Sequence, residues 1–244
     1  MKGASGAGLD LAGDLVTKTC KDAQDQVNWF KTAKPLLPDG IRTPRIWSSH
    51  PSYYTMEFVS GHEATRESSL HPIINCQQLA EHGPSGGTID SYVERCEDHV
   101  RQIKTCWTPQ HPASFLMKWL ERDAHLLQPG FCHGDLTLEN VMVGQDSLVV
   151  IDPNNKPGLF MSPALDHGKL LQSTHAHYHD VFDSHKGCSL TRHAQYLEKY
   201  LLERDEWKPG ILACATHILR LRKYNPCREH LADDILEQLL QNYS

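Results

Sequence analysis

The sequence contains no long apolar run and has fewer positive than negative charges, and both absences limit what the protein can do. No apolar run approaches the length needed to cross a bilayer. The start, MKGASGAGLDL, has neither the basic segment nor the apolar core of a secretory signal, so a cytoplasmic location is the default expectation. Lys and Arg number 24 against 30 Asp and Glu, which gives a formal net charge of -6. We therefore expect neither a membrane nor a nucleic-acid partner, because phosphate backbones are bound by clustered cations. A small partner is expected instead, and it could be cationic.

Signals for disulfide bonds are also missing. The eight cysteines are at positions 20, 76, 96, 106, 132, 188, 214 and 227. None forms a CxxC pair, and a chain of 244 residues needs no disulfides to stabilise its core, so we expect reduced and mostly buried thiols. This length allows one large domain or two small lobes that share a cleft. The oligomeric state is not indicated by the sequence.

The clearest local pattern is the segment Phe131 to Asn154, FCHGDLTLENVMVGQDSLVVIDPN. Two β-branched runs, 141–143 and 148–151, are separated by Gly-Gln-Asp-Ser, which predicts a β-hairpin. An antiparallel hairpin brings the residue before its first strand beside the residue after its second, so Asn140 and Asp152 should be neighbours. An amide oxygen and a carboxylate, completed by substrate phosphates, suit Mg²⁺, and we predict a metal site at these two residues.

Asp135 lies on the loop that enters this hairpin, five residues before Asn140. A carboxylate at this place can accept the proton of a hydroxyl that attacks a metal-bound phosphate. Cys132, beside His133, is an alternative nucleophile. A small core residue is the favoured interpretation of Cys132, because no base is arranged to activate its thiol.

The motif His133-Gly134-Asp135, with Asn140 and then Ile151-Asp152, resembles the catalytic loop and metal-binding segment of the aminoglycoside phosphotransferase and choline kinase-like family, relatives of the protein kinases. Protein kinases have Arg where this chain has Gly134. That Arg helps to pair with a phosphorylated activation loop, so its absence favours a small-molecule kinase.

The resemblance implies an α+β, two-lobed protein-kinase-like fold. A small antiparallel nucleotide-binding lobe is expected at residues 1–60 and a mainly helical lobe at residues 61–244. It also implies an ATP-dependent phosphotransferase that uses Mg²⁺ and a small alcohol, such as a sugar, aminoglycoside or amino alcohol. In this interpretation Asp135 and His133 are the catalytic residues, with His133 supporting the loop.

The N-terminal third contains the candidate nucleotide contacts. The glycine-rich stretch 3–8 lets backbone N–H groups approach phosphates, which makes Gly3, Ser5 and Gly6 candidates. A predicted hairpin at 9–20 follows, and its second strand carries Lys18, which resembles the family's nucleotide-binding lysine. The next predicted helix ends before Pro35 and lacks the family's partner Glu.

That missing Glu leaves Asp25 or Gln26 as its substitute. Two further strands are predicted near 45–47 and 53–59, and the resemblance makes this second strand the hinge. Backbone groups near Glu57 and Val59 would then contact the adenine.

The C-terminal part is predicted to be helical. Helices are expected at 90–106, with Asp90 or Ser91 as cap, from 112 to about 128, from 162 onward, and at 190–204, 208–223 and 228–242. Asp166 resembles the family's acid that braces the catalytic loop; a third metal ligand is the less favoured role for it. Lys169 or Gln172, on the same helix, could face the substrate.

Two other functions remain open from the sequence. The missing helix Glu and the short first strand are compatible with a nucleotide-binding pseudokinase. The cluster His175 to His179 is compatible with a zinc-dependent hydrolase if its imidazoles share one face of a strand, although its pattern continues a helix, where residues i and i+2 point apart.

Overall fold

The computed structural model describes residues 7–64, 87–102, 111–154, 156, 158–176, 191–222 and 229–241. The strands are β1 (Gly8–Ala12), β2 (Leu15–Thr19), β3 (Ile41–Arg42), β4 (Ile46–His50), β5 (Tyr53–Glu57), β6 (His62–Glu63), β7 (Val141–Val143) and β8 (Leu148–Val150). The helices are α1 (Ala23–Ala33), α2 (Ile89–Arg101), α3 (Pro112–Asp123), α4 (Pro163–Thr174), α5 (Thr191–Leu202), α6 (Trp207–Leu221) and α7 (Glu229–Gln241).

The N-terminal part is an antiparallel sheet with strand order β1-β2-β5-β4. Gly13 has a φ of +60°, which suits the tight turn between β1 and β2. Helix α1 packs against this sheet through an apolar face that includes Val27 and Phe30. Phe30 meets Tyr54 of β5 edge to face, with ring centroids 6.0 Å apart. The predicted strands and the helix of this region are confirmed.

A second sheet, with order β3-β8-β7-β6, contains the predicted hairpin. Strands β7 and β8 pair antiparallel with Val141 opposite Val150, which confirms the hairpin. Strand β3 pairs with β8 in parallel, and this pairing was not predicted. The chain passes from β5 to β6 through Gly61, where a Cβ would overlap the backbone carbonyl of Val143. The lobe boundary at residue 60 stays a prediction.

Helix α4 is the central element of the C-terminal part. Its residues from Ala164 to Thr174 are all buried, and it packs along α6. Ser162 caps it by accepting a hydrogen bond from the N–H of Ala164, and Pro163 fits the first turn. Gly168 permits the close crossing, because a Cβ there would be 2.6 Å from the backbone N of Cys214.

The predicted α+β fold, with an antiparallel N-terminal sheet and a helical C-terminal part, is confirmed. The helix ends differ from the predictions in two places. Thr88, rather than Asp90 or Ser91, caps α2 by accepting from the N–H of Ser91. Helix α3 stops at Asp123 and is followed by a 3-10 turn at Ala124–Leu126, whereas one helix was expected up to about 128.

The cysteines and the lengths of the helices were the subject of two expectations from composition. The four cysteines in its described part, Cys20, Cys96, Cys132 and Cys214, are free thiols, and all except Cys20 are buried. Within these same described ranges, no helix is both long and apolar enough to cross a bilayer.

Candidate active site

The catalytic loop is held in place by Asp166, on the first turn of α4. One carboxylate oxygen accepts from the backbone N–H of His133 at 2.6 Å and the other from that of Gly134 at 2.8 Å. Burial raises the pKa of Asp166 to about 7, against the lowering effect of these donors. Because both oxygens are bonded to the loop backbone, the bracing role fits Asp166 and the less favoured metal role does not.

Gly134 is required by the path of this loop. Its φ is +78°, and a Cβ at this position would be 2.5 Å from the carbonyl oxygen of Asn154. The N–H of Asn154 also donates to the carbonyl of His133 at 2.9 Å, so the loop and the segment after β8 lie directly against each other. A side chain at 134 would separate them.

His133 is buried, 2% exposed, and connects the loop to the end of β8. Its Nε2 lies 2.8 Å from the carbonyl oxygen of Ile151, and burial lowers the pKa of the imidazole to about 4. The ring is therefore neutral near pH 7 and donates from Nε2. Trp29 of α1 packs edge-on against this ring at 5.0 Å and donates its indole N–H to the carbonyl of Cys132. His133 thus positions the residue before Asp152.

Asn140 and the segment ending in Asp152 meet as the hairpin predicts. The N–H of Ile151 donates to the carbonyl of Asn140 at 2.9 Å. The Asn140 side-chain amide donates to the backbone carbonyl of Asp135 at 2.7 Å and to its carboxylate at 3.3 Å. Asp152 has a φ of +57°, a left-handed conformation that is uncommon outside glycine and is often found at functional sites.

The oxygens of this pair fit a hard cation. Neither Asn140 Oδ1 nor Asp152 Oδ2 has a hydrogen-bond partner in the described ranges. An amide oxygen and a carboxylate oxygen are ligands that Mg²⁺ prefers, and it retains waters or phosphates for its other positions. The assignment of Asn140 and Asp152 as metal ligands stays a prediction.

Lys18 connects β2 to this site. Its side chain is 3% exposed, and Nζ lies 2.5 Å from Asp152 Oδ1 and 3.2 Å from Gln26 Oε1. The hydroxyl of Tyr54 also donates to Gln26 Oε1, at 2.8 Å. Of the two predicted substitutes for the missing helix Glu, Gln26 is the one in contact with Lys18.

A second lysine, Lys169 of α4, reaches the catalytic loop. Nζ of Lys169 is 3.0 Å from Asp135 Oδ1, with the lysine side chain 6% exposed and the aspartate 36% exposed. Burial opposes ionisation of Asp135, but the ammonium of Lys169 and its hydrogen bond, with a smaller contribution from the charge of Arg220, outweigh it, so the pKa of Asp135 is lowered below its ordinary value. Asp135 is a carboxylate at neutral pH.

The sequence did not assign this contact, although a signal was present. Lys169 follows Asp166 by three residues, so both side chains lie on one face of α4. A helix that presents Asp166 to the loop backbone also presents Lys169 to the loop. The sequence left Lys169 and Gln172 as equal candidates to face the substrate, and it is Lys169 that contacts Asp135.

The predicted nucleotide contacts are placed only in part. Gly3, Ser5 and Gly6 lie outside the described residues. The N–H of Glu57 donates to the carbonyl of Arg45 at 2.9 Å, and its carboxylate pairs with Arg42, so the Glu57 N–H belongs to the sheet. Val59, just after β5, is half-buried and makes no backbone hydrogen bond to another described residue.

The described residues give little support to the two alternative chemistries, a Cys132 nucleophile and a zinc site at the His175 to His179 cluster. Cys132 is 1% exposed, and burial raises its thiol pKa well above the ordinary value, as expected for a core residue. His175 directly follows α4 as its C-cap residue, and its Nδ1 lies 2.9 Å from the hydroxyl of Thr174, whereas His177 and His179 lie outside the described residues. Within the described ranges, no three His, Cys, Asp or Glu side chains are grouped to hold a metal.

Comparison with known proteins agrees with this geometry. The model of the phosphotransferase enzyme family matches residues 21–155, which is more than half of the chain. No curated protein matches the chain.

Solved structures have the same fold at low identity. A choline/ethanolamine kinase family protein from Mesorhizobium loti is 15% identical, with a TM-score of 0.63 over 98% of this chain and 85% of that one. Choline kinase from Streptococcus pneumoniae is 13% identical, with a TM-score of 0.61 over 98% and 92%. The aminoglycoside 2'-phosphotransferase-IIIa, solved as a GDP complex, is 14% identical, with a TM-score of 0.59 over 98% and 90%.

The predicted resemblance is therefore confirmed. The chain belongs to the phosphotransferase enzyme family and has the protein-kinase-like fold of small-molecule kinases.

Proposed function

We propose that this phosphotransferase moves the γ-phosphate of ATP to a hydroxyl of a small molecule, with Asp135 as the proton acceptor. The observation that carries the proposal is the convergence of four elements on one place. Asp135 lies on the braced loop, Lys18 on β2, Asn140 directly before β7, and Asp152 just after β8. Hydrogen bonds join Lys18 to Asp152 and Asn140 to Asp135. These are the groups that phosphoryl transfer needs.

In this proposal Asn140 and Asp152 hold Mg²⁺ through the two oxygens that have no described partner. The bound ion neutralises charge on the phosphates and helps to hold them in position. Asn140 also fixes Asp135, because its amide donates to both the backbone carbonyl and the carboxylate of that residue. His133 is a positioning residue that fixes the backbone before Asp152.

The nucleotide is proposed to lie against the N-terminal sheet. Lys18 contacts the phosphates, and Gly3, Ser5 and Gly6, which lie outside the described residues, stay candidate phosphate contacts from the sequence alone. The backbone of Val59 is the better placed of the two predicted adenine contacts, because the N–H of Glu57 is already bonded within the sheet. The GDP and AMP complexes of relatives with this fold support nucleotide use.

Asp135 orients the acceptor hydroxyl and takes its proton. The acceptor oxygen forms a bond to the γ-phosphorus while the bond from that phosphorus to the bridging oxygen of ADP breaks. Because Lys169 keeps the pKa of Asp135 low, the carboxylate is a weak base and accepts the proton late in the transfer. This timing suits the loose transition state of phosphoryl transfer, in which the nucleophile gains little charge early.

The test compares the wild type with Asp135→Asn, which keeps the shape of the side chain. Acceptor-dependent ADP release is measured with sugars, aminoglycosides and amino alcohols, using ATP and GTP in turn. We expect the variant to lose about 10²- to 10⁴-fold in kcat, the usual contribution of a general base, while thermal shifts with ATP and Mg²⁺ stay unchanged. Asp146→Asn, at the exposed hairpin turn, is the matched control and should retain full activity. Unchanged turnover in Asp135→Asn would refute the proposal.

The pseudokinase remains the second candidate, and one observation favours it. Lys18 is paired on α1 with the neutral Gln26 rather than a carboxylate. If the protein is a pseudokinase, ATP and Mg²⁺ would still produce a thermal shift, but no acceptor would give ADP release that depends on Asp135. The same experiment therefore decides between the two functions.

A further inference from the structure

A small cleft lies beside the catalytic loop, on the side of the helices. Gly134, the neighbour of Asp135, and Asn154 form one wall, and residues of α2 and α6 form two others. The apolar side chains of Leu159, Phe160, Met161 and Leu165 complete the lining. Its volume is about 30 Å³, enough for roughly two or three waters or one group of similar size, such as a carboxylate or phosphate. A ligand group seated here would be one residue away from the proposed proton acceptor.

The cleft is positively charged. Arg95 and His99 of α2 and His217 and Arg220 of α6 line it, and no described lining residue is acidic. The spacings of three and four residues place these side chains on the facing surfaces of the two helices. Burial, followed by the charges of Lys169, Arg220 and Arg95, lowers the pKa of His217 well below its ordinary value, so the positive charge comes from the arginines.

Within the described part of the chain, Arg95 and Arg220 combine partial burial with the lack of a carboxylate partner, whereas Arg45 and Arg204, which also lack one, are exposed and lie over the rings of Trp47 and Tyr200. Arg42, Arg101, Arg122 and Arg222 each pair with an Asp or Glu within 4.0 Å. Arg95 and Arg220 are half-buried and form no ion pair in the described ranges; Arg95 only lies over the ring of Tyr92, at 5.5 Å. Half-burying two like charges is costly without an anion, so the arrangement suits a ligand that brings one.

We propose that the acceptor alcohol carries an anionic group, a carboxylate or a phosphate, which binds Arg95 and Arg220. This inference rests on the proposed phosphotransferase function. Guanidinium groups bind both kinds of anion through paired N–H donors. Arg220 and Gly134, the residue before Asp135, line the same cleft, so an anion at Arg220 and a hydroxyl at Asp135 fit within one small molecule. The net charge of -6 left a cationic partner open, whereas the local charge of the cleft favours an anionic acceptor.

The first test measures binding without requiring turnover. Inorganic phosphate is titrated by calorimetry with the nucleotide site filled by ADP and Mg²⁺, followed by glucose, glucosamine, glucuronate and glucose 6-phosphate, which share one ring. We expect phosphate and at least one anionic hexose to bind, and Arg95→Gln and Arg220→Gln to weaken binding about 10- to 100-fold, the loss for a charged hydrogen bond. Preference for glucuronate identifies a carboxylate ligand, and preference for glucose 6-phosphate identifies a phosphate.

Arg101→Gln is the matched control, because it makes the same change on the same helix but outside the cleft, where Arg101 pairs with Glu97. It should bind phosphate like the wild type, and thermal unfolding should be similar in all three variants. The proposal is overturned if no anion binds, if glucose or glucosamine binds as tightly as the anionic hexoses, or if both cleft variants bind phosphate normally.

A charge reversal separates this inference from the function on which it rests. We expect Arg220→Glu to prefer glucosamine over glucuronate by about 10-fold or more, since the sign of the local charge changes. If ADP release depends on Asp135 but is supported only by neutral or cationic acceptors, the function stands and the anion site is refuted. If release does not depend on Asp135, the proposed function fails whatever the cleft binds.

Discussion

The site contains two lysine–aspartate pairs that look alike and differ in what surrounds them. Lys18 and Lys169 are 3% and 6% exposed, and their partners Asp152 and Asp135 are 39% and 36% exposed. Lys18 is also held by Gln26, on a helix that packs on the N-terminal sheet. Lys169 comes from α4, the buried helix that braces the catalytic loop.

This difference separates the two halves of the proposed reaction. A lysine held between a neutral amide and a partly exposed carboxylate is available to a phosphate when the carboxylate takes a metal ion. A lysine on the helix that fixes the loop instead sets the ionisation of its partner, as the lowered pKa of Asp135 indicates. In the proposed reaction, the first pair therefore belongs to the nucleotide side and the second to the acceptor side.

The largest expected difference between the two pairs comes from removing the carboxylate of Asp152 in the first pair. Asp152→Asn should lower kcat/KM by about 10²-fold or more, since several kcal/mol of metal-assisted charge stabilisation are lost. Unlike Asp135→Asn, it should also abolish the Mg²⁺-dependent part of ATP binding, measured as a thermal shift with and without the metal. If the two variants behave alike in ATP binding, the assignment of separate roles is wrong.

Removing the lysine of the first pair should affect the nucleotide. In Lys18→Met the KM for ATP should rise about 10- to 100-fold, the range for a hydrogen bond to a charged group, with the KM for the acceptor unchanged. Lys31→Met, an exposed position on α1, is the control. An unchanged KM for ATP would exclude Lys18 from phosphate binding.

Replacing Lys169, the lysine of the second pair, should instead change the pH dependence of kcat. The pKa of Asp135 is held below its ordinary value of 3.8, so the ionised pair stabilises the fold above that pH and is lost only as the pH falls through the lowered pKa. In Lys169→Met, burial remains and the ammonium is gone, so the pKa of Asp135 should rise and the acid limb of kcat should move to higher pH.

The measurement is a kcat profile from pH 4 to 9 for the wild type and the variant. Asp166, with a pKa of about 7, titrates in both proteins, so the difference between the profiles isolates the effect of Lys169. We expect a loss of about 10-fold or less at pH 7, with the KM for ATP unchanged, and Lys118→Met as the exposed control. Coinciding acid limbs would show that Lys169 does not set the ionisation of Asp135.

The two pairs also differ in how far the sequence could predict them. The hairpin and the strand of Lys18 follow from short patterns, so the residues around Asn140 and Asp152 are predictable from the amino-acid order alone. Asp25 and Gln26 are adjacent on a helix and point about 100° apart, so the phase of α1 had to be known before Gln26 could be chosen.

Contacts between distant segments were not predictable. The parallel pairing of β3 with β8 rests on two residues without a local signal. Arg95 and Arg220 line one cleft only because α2 and α6 pack against each other beside the catalytic loop, and the net charge of the chain gave no sign of a positively charged cleft.

The smallest expected effect comes from giving the first pair the family's usual partner. In Gln26→Glu, Lys18 gains a second carboxylate, but Asp152 already balances its charge and Tyr54 already donates to residue 26. The Coulombic gain of a buried ion pair is largely offset by desolvation, so we expect the free energy of unfolding to change by only about 1 kcal/mol or less and the KM for ATP by about threefold or less. Denaturant unfolding and ATP-dependent kinetics measure both, with Gln24→Glu on the exposed side of α1 as control. A rise of 10-fold or more in kcat would mean that Gln26 limits the wild-type enzyme, and would favour the pseudokinase as the function of this protein.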